Sequence, residues 1–312
     1  MPESMRFSDY LIFAWWNTGL SPFRKASPEH HSAKSNAVQR ILLQLITEGV
    51  DMIGLAEVND GDIEEAQAFL KSSGYRYEAI KGTKKIGKTC FDLGVLYNPQ
   101  KIWHQKSAFL TERWAGSNIV KIALNIEILP YLGNAPFHIF VSHWPSLLSN
   151  VSNREQYGFH LRRYIDQAFA ASQRAHPYIV VMGDFNYEPF DKTLSEDIWA
   201  TRDRIMASRK RNFLYNPFWR HLGEESLFDQ HSPVSDGLCG TYFYKQGAIT
   251  RWKTVDQMMF SSSFINSGEW YLDEKFSLIW KNEDRDISSF HQYGFDHLPI
   301  ISAVVFDQKM EE

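Results

Sequence analysis

The sequence predicts an α/β layered fold, and three observations carry that prediction. Apolar runs of strand length, such as 10–16 and 179–182, alternate with segments of helical period, such as Val38, Ile41, Leu42, Leu45 and Ile46. The order at the start of the chain is strand, helix, strand, helix. The apolar runs also stop abruptly at residues capable of chemistry. In YIVVMGDFNYEP, 178–189, a buried strand delivers Asp184 and Asn186 to its carboxyl end, where open sheets place their ligand sites. Gly183 allows a close backbone approach there, and Pro189 stops the strand. Asp184 can take a proton from water or bind a metal, while Asn186 can donate to an oxyanion.

In chain order, the strand over 10–16 ends at Asn17-Thr18-Gly19, and Pro22 and Pro28 mark 20–31 as loop. A helix from Ser35 closes at Gly49. A second strand, 51–56, ends at Glu57-Val58-Asn59 and is followed by a short helix over 64–72. Residues 75–80 and 93–97 read as paired strands around a polar loop, 81–89, that holds Lys81, Lys84, Lys85 and Lys88. That loop is either a solvated hairpin tip or a clamp on a phosphate backbone. Alternation at Val120, Ile122, Leu124, Ile126 and Ile128 marks a half-buried strand. Another, 137–142, ends at His143-Trp144. A helix over 154–172 turns Leu161, Ile165, Ala168 and Phe169 inward, and its Arg154 and Arg162 either reach phosphate or line a solvated face. Residues 190–251 read as an insertion within one domain spanning 1–312, with a basic, helical run at 201–211. A strand over 252–260 carries Asp256, and 295–306 runs from Asp296-His297 into the last strand.

The bulk numbers suit this organisation. The 312 residues are 44% hydrophobic, enough for a large core, and the formal charge of −4 argues against binding nucleic acid over the whole surface. A local basic groove or a metal-bridged phosphate stays open. Two distant cysteines, Cys90 and Cys239, give neither a zinc knuckle nor a disulfide framework, so a reducing cytoplasm is expected. The run at 10–16 is too short for a signal peptide, and nothing approaches the roughly 18 apolar residues of a membrane span. No membrane partner is expected.

Five strand boundaries carry chemically capable side chains: Asn17, Glu57, His143, Asp184 with Asn186, and Asp296 with His297. Asp256 lies within a sixth strand. Any one of these reads equally well as a strand-end cap or a satisfied core polar group. Gathered on one rim, they make a site. Three acids, two histidines and two amides, with no serine or cysteine nucleophile pattern, favour a hard cation, Mg²⁺ or Mn²⁺, over zinc. The chemistry indicated is metal-assisted attack of water on a phosphoester. Trp144 beside His143 either stacks on a base, lips the site or packs in the core.

The motifs WWN (15–17), LAEVN (55–59), SHWPS (142–146), GDFN (183–186), VDQMMFSS (255–262) and FDHLP (295–299) resemble, in this order, those of the endonuclease/exonuclease/phosphatase superfamily. The resemblance spans about residues 10–306. It implies the deoxyribonuclease I-like architecture, in which two mostly antiparallel β-sheets pack face to face, flanked by helices, as a four-layer α/β sandwich. It further implies that Glu57, Asn17 and Asp296 form the metal end and that His297 contacts the phosphate, oriented by Asp256. His143 would serve the leaving group, and Asp184 and Asn186 would position water and the transition-state oxygens. Gln257, after Asp256, departs from branches that carry histidine or an aromatic residue there.

The leading expectation is a cytoplasmic Mg²⁺- or Mn²⁺-dependent nuclease acting on DNA in preference to RNA, with Lys84, Lys85, Trp144 and Arg154 as substrate contacts. The lysine loop, the basic run and the ten tryptophans favour a long polyanion. A phosphodiesterase or phosphatase acting on a small molecule or a lipid headgroup is the alternative enzyme. A catalytically silent scaffold binding nucleic acid or protein is the alternative of another class.

Overall fold

The structure, a computed structural model, describes residues 9–20, 28–113, 119–146, 156–172, 176–224, 238–265, 268–281 and 293–307. The elements in order are β1 (Tyr10–Asn17), α1 (Pro28–Thr47), β2 (Met52–Ala56), α2 (Asp60–Ser72), β3 (Glu78–Ile86), β4 (Thr89–Tyr97), β5 (Ile102–Arg113), β6 (Ile119–Pro130) and β7 (Phe137–His143). There follow α3 (Gln156–Ala171), β8 (Tyr178–Asp184), β9 (Ala200–Thr201), α4 (Arg204–Arg209), β10 (Leu214–Tyr215), β11 (Tyr242–Phe243), β12 (Trp252–Lys253), β13 (Asp256–Ser261), β14 (Trp270–Ile279) and β15 (Ile300–Phe306). Among the described residues no helix is long and apolar enough to cross a membrane.

Two large sheets form, in the orders β14-β15-β1-β2-β4-β3 and β5-β6-β7-β8-β13-β10-β9, with β11 and β12 as a separate pair. Pairing is antiparallel except at β1–β2, β7–β8 and β9–β10. Sheet faces meet where β1 and β2 contact β8 and where β4 contacts β6 and β7. The central strands β1, β2, β8, β13 and β15 are buried along their whole length, which is why β1, β2, β8 and β15 read as apolar runs and not alternations, while in β13 the buried Asp256, Gln257 and Ser261 are each hydrogen-bonded. Helices α1 and α2 pack into the core that the two sheets share, and α3 covers the outer face of the second sheet through Leu161, Ile165 and Phe169. The expected layered sandwich is therefore observed.

Element boundaries differ from expectation in ways with physical causes. Helix α1 begins at Pro28, because proline is tolerated at the first helical position; the stretch expected to be loop is thus partly helix. Helix α2 begins at Asp60, fixed by a reciprocal capping box in which Asn59 Oδ1 accepts from the Asp62 backbone and Asp62 Oδ2 accepts from the Asn59 backbone. The lysine loop is a correction: Lys81, Lys84 and Lys85 lie on β3, and the hairpin turns only at Gly87-Lys88. Strands β5 and β14 were not expected. Most of β5 is exposed or half-buried at a sheet edge, so it carries no apolar run, and the β14 pairing is broken by an irregularity between Asp273 and Leu278.

Candidate active site

Parallel pairing of β1 with β2, and of β7 with β8, brings carboxyl ends together. Register sets Asn17 opposite Ala56, and Asp184 between His143 on one side and Asp256 on the other. The side chain of Asn17 crosses between sheets: its Nδ2 donates to Asp184 Oδ2 at 3.1 Å and to Glu57 Oε1 at 3.3 Å. Glu57 holds a positive φ of 54°, sparsely populated for a residue with a side chain. Asp184 Oδ1 accepts the backbone N–H of Asn186, an Asx turn that Asn186 accommodates with a φ of 55°. A Cβ on Gly183 would stand 2.1 Å from the Ser142 carbonyl, so the close approach expected there is real.

Two carboxylate–imidazole pairs flank this centre. His297 Nδ1 is 2.8 Å from Asp256 Oδ2, and its Nε2 is 3.7 Å from Asp184 Oδ2. Trp15 Nε1 donates to the other oxygen of Asp256 at 2.8 Å, and the Tyr242 ring lies 4.5 Å from the His297 ring. His143 Nδ1 is 2.9 Å from Asp92 Oδ2, its Nε2 is 3.9 Å from Glu57 Oε1, and Lys121 pairs with the other oxygen of Asp92.

These contacts set the protonation of the groups. Burial alone would lower His297, but the Asp256 and Asp184 carboxylates outweigh it and hold the imidazole up at about 10. Burial pushes Asp184 up to about 6, opposed by His297 and reinforced by Asp256. Burial disfavours the charged forms of both Asp92 and His143, yet their mutual attraction prevails. Asp92, helped by Lys121, stays well below the usual carboxylate range, and His143 is raised. Burial takes Tyr242 to about 12, with Asp296, Asp184 and Glu57 adding to the rise.

Two places could hold a cation. Asp184, Asp256 and His297 offer ligand atoms within 4.8 Å of one another. Both Asp256 oxygens are already hydrogen-bonded, however, and all three side chains are buried. Glu57 and Asp296 lie at the open end of the rim, half-buried and exposed respectively. Their hard oxygens suit a divalent ion that keeps open positions for phosphate oxygen, while the Asn17 amide donates to Glu57 and its oxygen accepts the Gly19 N–H. The buried trio is thus compact but already hydrogen-bonded, whereas Glu57 and Asp296 offer the more accessible oxygens.

Other expectations fare differently. Trp144 is core, not lip: it is 1% exposed, packs on Tyr157 and Phe185, and donates to the Ile122 carbonyl. One amide hydrogen of Asn186 is taken by the Trp144 carbonyl at 2.9 Å, leaving one for an oxyanion. Arg162 neither reaches phosphate nor faces solvent; buried, it donates to the Ile198 and Asn212 carbonyls and to Asp166. Arg154 lies outside the described residues. Gln257 fastens β13 to its surroundings, donating to the Tyr187 carbonyl and accepting from Asn216. Asp92, Lys121, Lys34, Trp15 and Tyr242 were not foreseen. A lone acid in the apolar stretch CFDLGVLY was a signal for Asp92, the same one that marked Asp256, and Trp15 stands in the WWN motif; Lys121, Lys34 and Tyr242 gave none.

Fold and rim together define a phosphoester-cleaving class, and the chain belongs to the endonuclease/exonuclease/phosphatase family, whose model matches residues 21–279. Among solved structures, the human nocturnin catalytic domain with bound sulfate is 15% identical with a TM-score of 0.60, covering 96% of this chain and 95% of that one. A Bacteroides thetaiotaomicron mannosyl-6-phosphatase is 13% identical with a TM-score of 0.59, over 95% and 100% of the two chains. D. rerio TDP2 complexed with a single-strand DNA product is 13% identical with a TM-score of 0.55, over 95% and 98%. At these identities the likeness is one of fold. No curated protein matches the chain in sequence.

Proposed function

We propose that this protein is a divalent-metal-dependent phosphodiester hydrolase acting on nucleic acid, DNA foremost. One observation carries the reading: Asn17 joins Glu57 to Asp184 at a rim flanked by two carboxylate–imidazole pairs. Glu57 and Asp296 would hold the divalent ion, which would supply Lewis-acid polarisation of a phosphoryl oxygen. Asp184, raised toward neutrality, accepts a proton from the attacking water. His297, held as imidazolium by Asp256, donates from Nε2 to a phosphate oxygen, with the free Asn186 amide hydrogen beside it. The P–O bond to the leaving group breaks as His143 protonates the departing oxygen. This base and acid division makes the two histidines partners and not alternatives.

The choice of polymer rests on the β3–β4 hairpin. Beyond Thr83, which pairs with Asp92 at the site, three further residue pairs extend past the rim, roughly 10 Å of strand, and carry exposed Lys84 and Lys85, with Lys88 at the turn. Lys84 lies over the Phe109 ring at 5.1 Å, which steadies the arm. Lys84 and Lys85, successive on the strand, face opposite sides of it, so a phosphate backbone running from the rim along one face of this arm would meet one of them, with Lys88 at the turn. The test is cleavage of labelled single- and double-stranded DNA, RNA and a sugar phosphate with Mg²⁺ or Mn²⁺. In the Lys84→Ala/Lys85→Ala variant, DNA binding is expected to lose about one unit of its log–log salt slope, since only one of the two lysines faces a given backbone. An unchanged slope, or turnover of the sugar phosphate alone, would move the substrate to a small phosphoester, the reading favoured by the mannosyl-6-phosphatase neighbour.

A further inference from the structure

Helix α1 sends Lys34 to the open end of the rim, where it is only 9% exposed. Its Nζ donates to the Gly19 carbonyl at 2.7 Å and the Gly294 carbonyl at 3.2 Å, and lies 5.1 Å from the Phe295 ring centroid. Gly19 stands two residues after Asn17, and Gly294 two residues before Asp296, so one ammonium ties together the loops that carry both. Gly19, at a φ of 53°, cannot be replaced freely. A Cβ there would stand 2.8 Å from Lys34 Nζ and 3.9 Å from Glu57 Oε2, so ammonium and carboxylate converge on the space that glycine leaves. Burial pulls this amine below its ordinary value, and the Asp296 and Glu57 carboxylates oppose that fall. Two of its three donors go to carbonyls; its charge serves the carboxylates.

We propose that Lys34 is a positioning residue of the metal end: a built-in cation that offsets the charge of Glu57 and Asp296 and keeps their loops assembled before a divalent ion binds. This rests on the metal-dependent reading above. The consequence has a definite sign. A fixed positive charge opposes an incoming cation, so removing it tightens metal binding while weakening the metal-free protein. A tie that worked only through its hydrogen bonds would give the opposite sign, because loosened loops bind an ion less well.

Lys34→Gln keeps a donor for the carbonyls and removes the charge, and Lys34→Arg restores the charge. The full chain and both variants are titrated with Mn²⁺ by calorimetry and melted with and without it. Lys34→Gln is expected to melt lower without metal, to gain more Tm on adding Mn²⁺ than the wild type, and to bind Mn²⁺ about tenfold more tightly. Lys34→Arg is expected to match the wild type. An unchanged or weaker Kd in Lys34→Gln overturns the role of Lys34 while leaving the metal site intact. A wild type that binds no Mn²⁺ overturns the metal-dependent reading itself, and this inference with it.

Discussion

The two carboxylate–imidazole pairs bridge the sheets in opposite senses. Asp256 belongs to the second sheet and holds His297, which leads into the first; Asp92 belongs to the first and holds His143 of the second. Their second oxygens are satisfied differently. A neutral indole, Trp15 Nε1, donates to Asp256, whereas the Lys121 ammonium pairs with Asp92. The Asp256–His297 pair is the more enclosed, its side chains 0% and 9% exposed and Asp184 beside the far nitrogen, against 13% and 14% for Asp92 and His143. A sealed pair holds its proton rigidly at the centre of the reaction. An open pair with an extra cation carries net positive charge to one side of it, suited to a leaving group. Equivalent chemistry is thus placed twice and tuned by what touches the other oxygen.

The comparison predicts an ordered set of losses. His297→Ala and Asp184→Asn are expected to cost the most, about 10³-fold or more in kcat for a phosphodiester with Mg²⁺, or ~4 kcal/mol of the barrier. Asp256→Asn follows at roughly 10²-fold, since it leaves the imidazole in place with the wrong partner. Asp92→Asn is expected to lose only about tenfold, because solvent and Lys121 remain near His143. Equal kcat losses in Asp256→Asn and Asp92→Asn would erase the distinction between sealed and open pairs.

A smaller effect sharpens it through stability. The folded state holds His297 at about 10 against an ordinary 6.5, so it binds this proton more tightly than the unfolded chain does. The resulting stabilisation is whole below about pH 6.5 and is lost as pH rises through about 10. Urea melts of the metal-free wild type are therefore expected to lose stability over that window more steeply than those of His297→Gln. Parallel curves would mean that the sealed pair does not hold its proton.

Much of this was legible in the chain because fully buried strands must be apolar throughout. A polar residue at the end of YIVVMGD or YLIFAWWN then stands out, and parallel pairing gathers such ends. What sequence could not show depends on tertiary direction. Lys34 is one of two Lys or Arg residues on α1, with nothing in the pattern to set it apart from Arg40, and only the way α1 lies on the sheet turns it toward Glu57. Trp144 offered no sign of which face it would take, and it packs in the core against Tyr157 and Phe185, not as a stacking surface. Edge strand β5, half solvated, carries no apolar pattern to read.

The most direct test of the central claim, that this rim hydrolyses phosphoesters with a divalent ion, is single-turnover cleavage of labelled DNA by the wild type and Asp184→Asn, with Mg²⁺ and with EDTA. The account predicts cleavage by the wild type with Mg²⁺ only, and a loss of about 10³-fold in the variant. Cleavage that survives EDTA, or that Asp184→Asn retains in full, would contradict it.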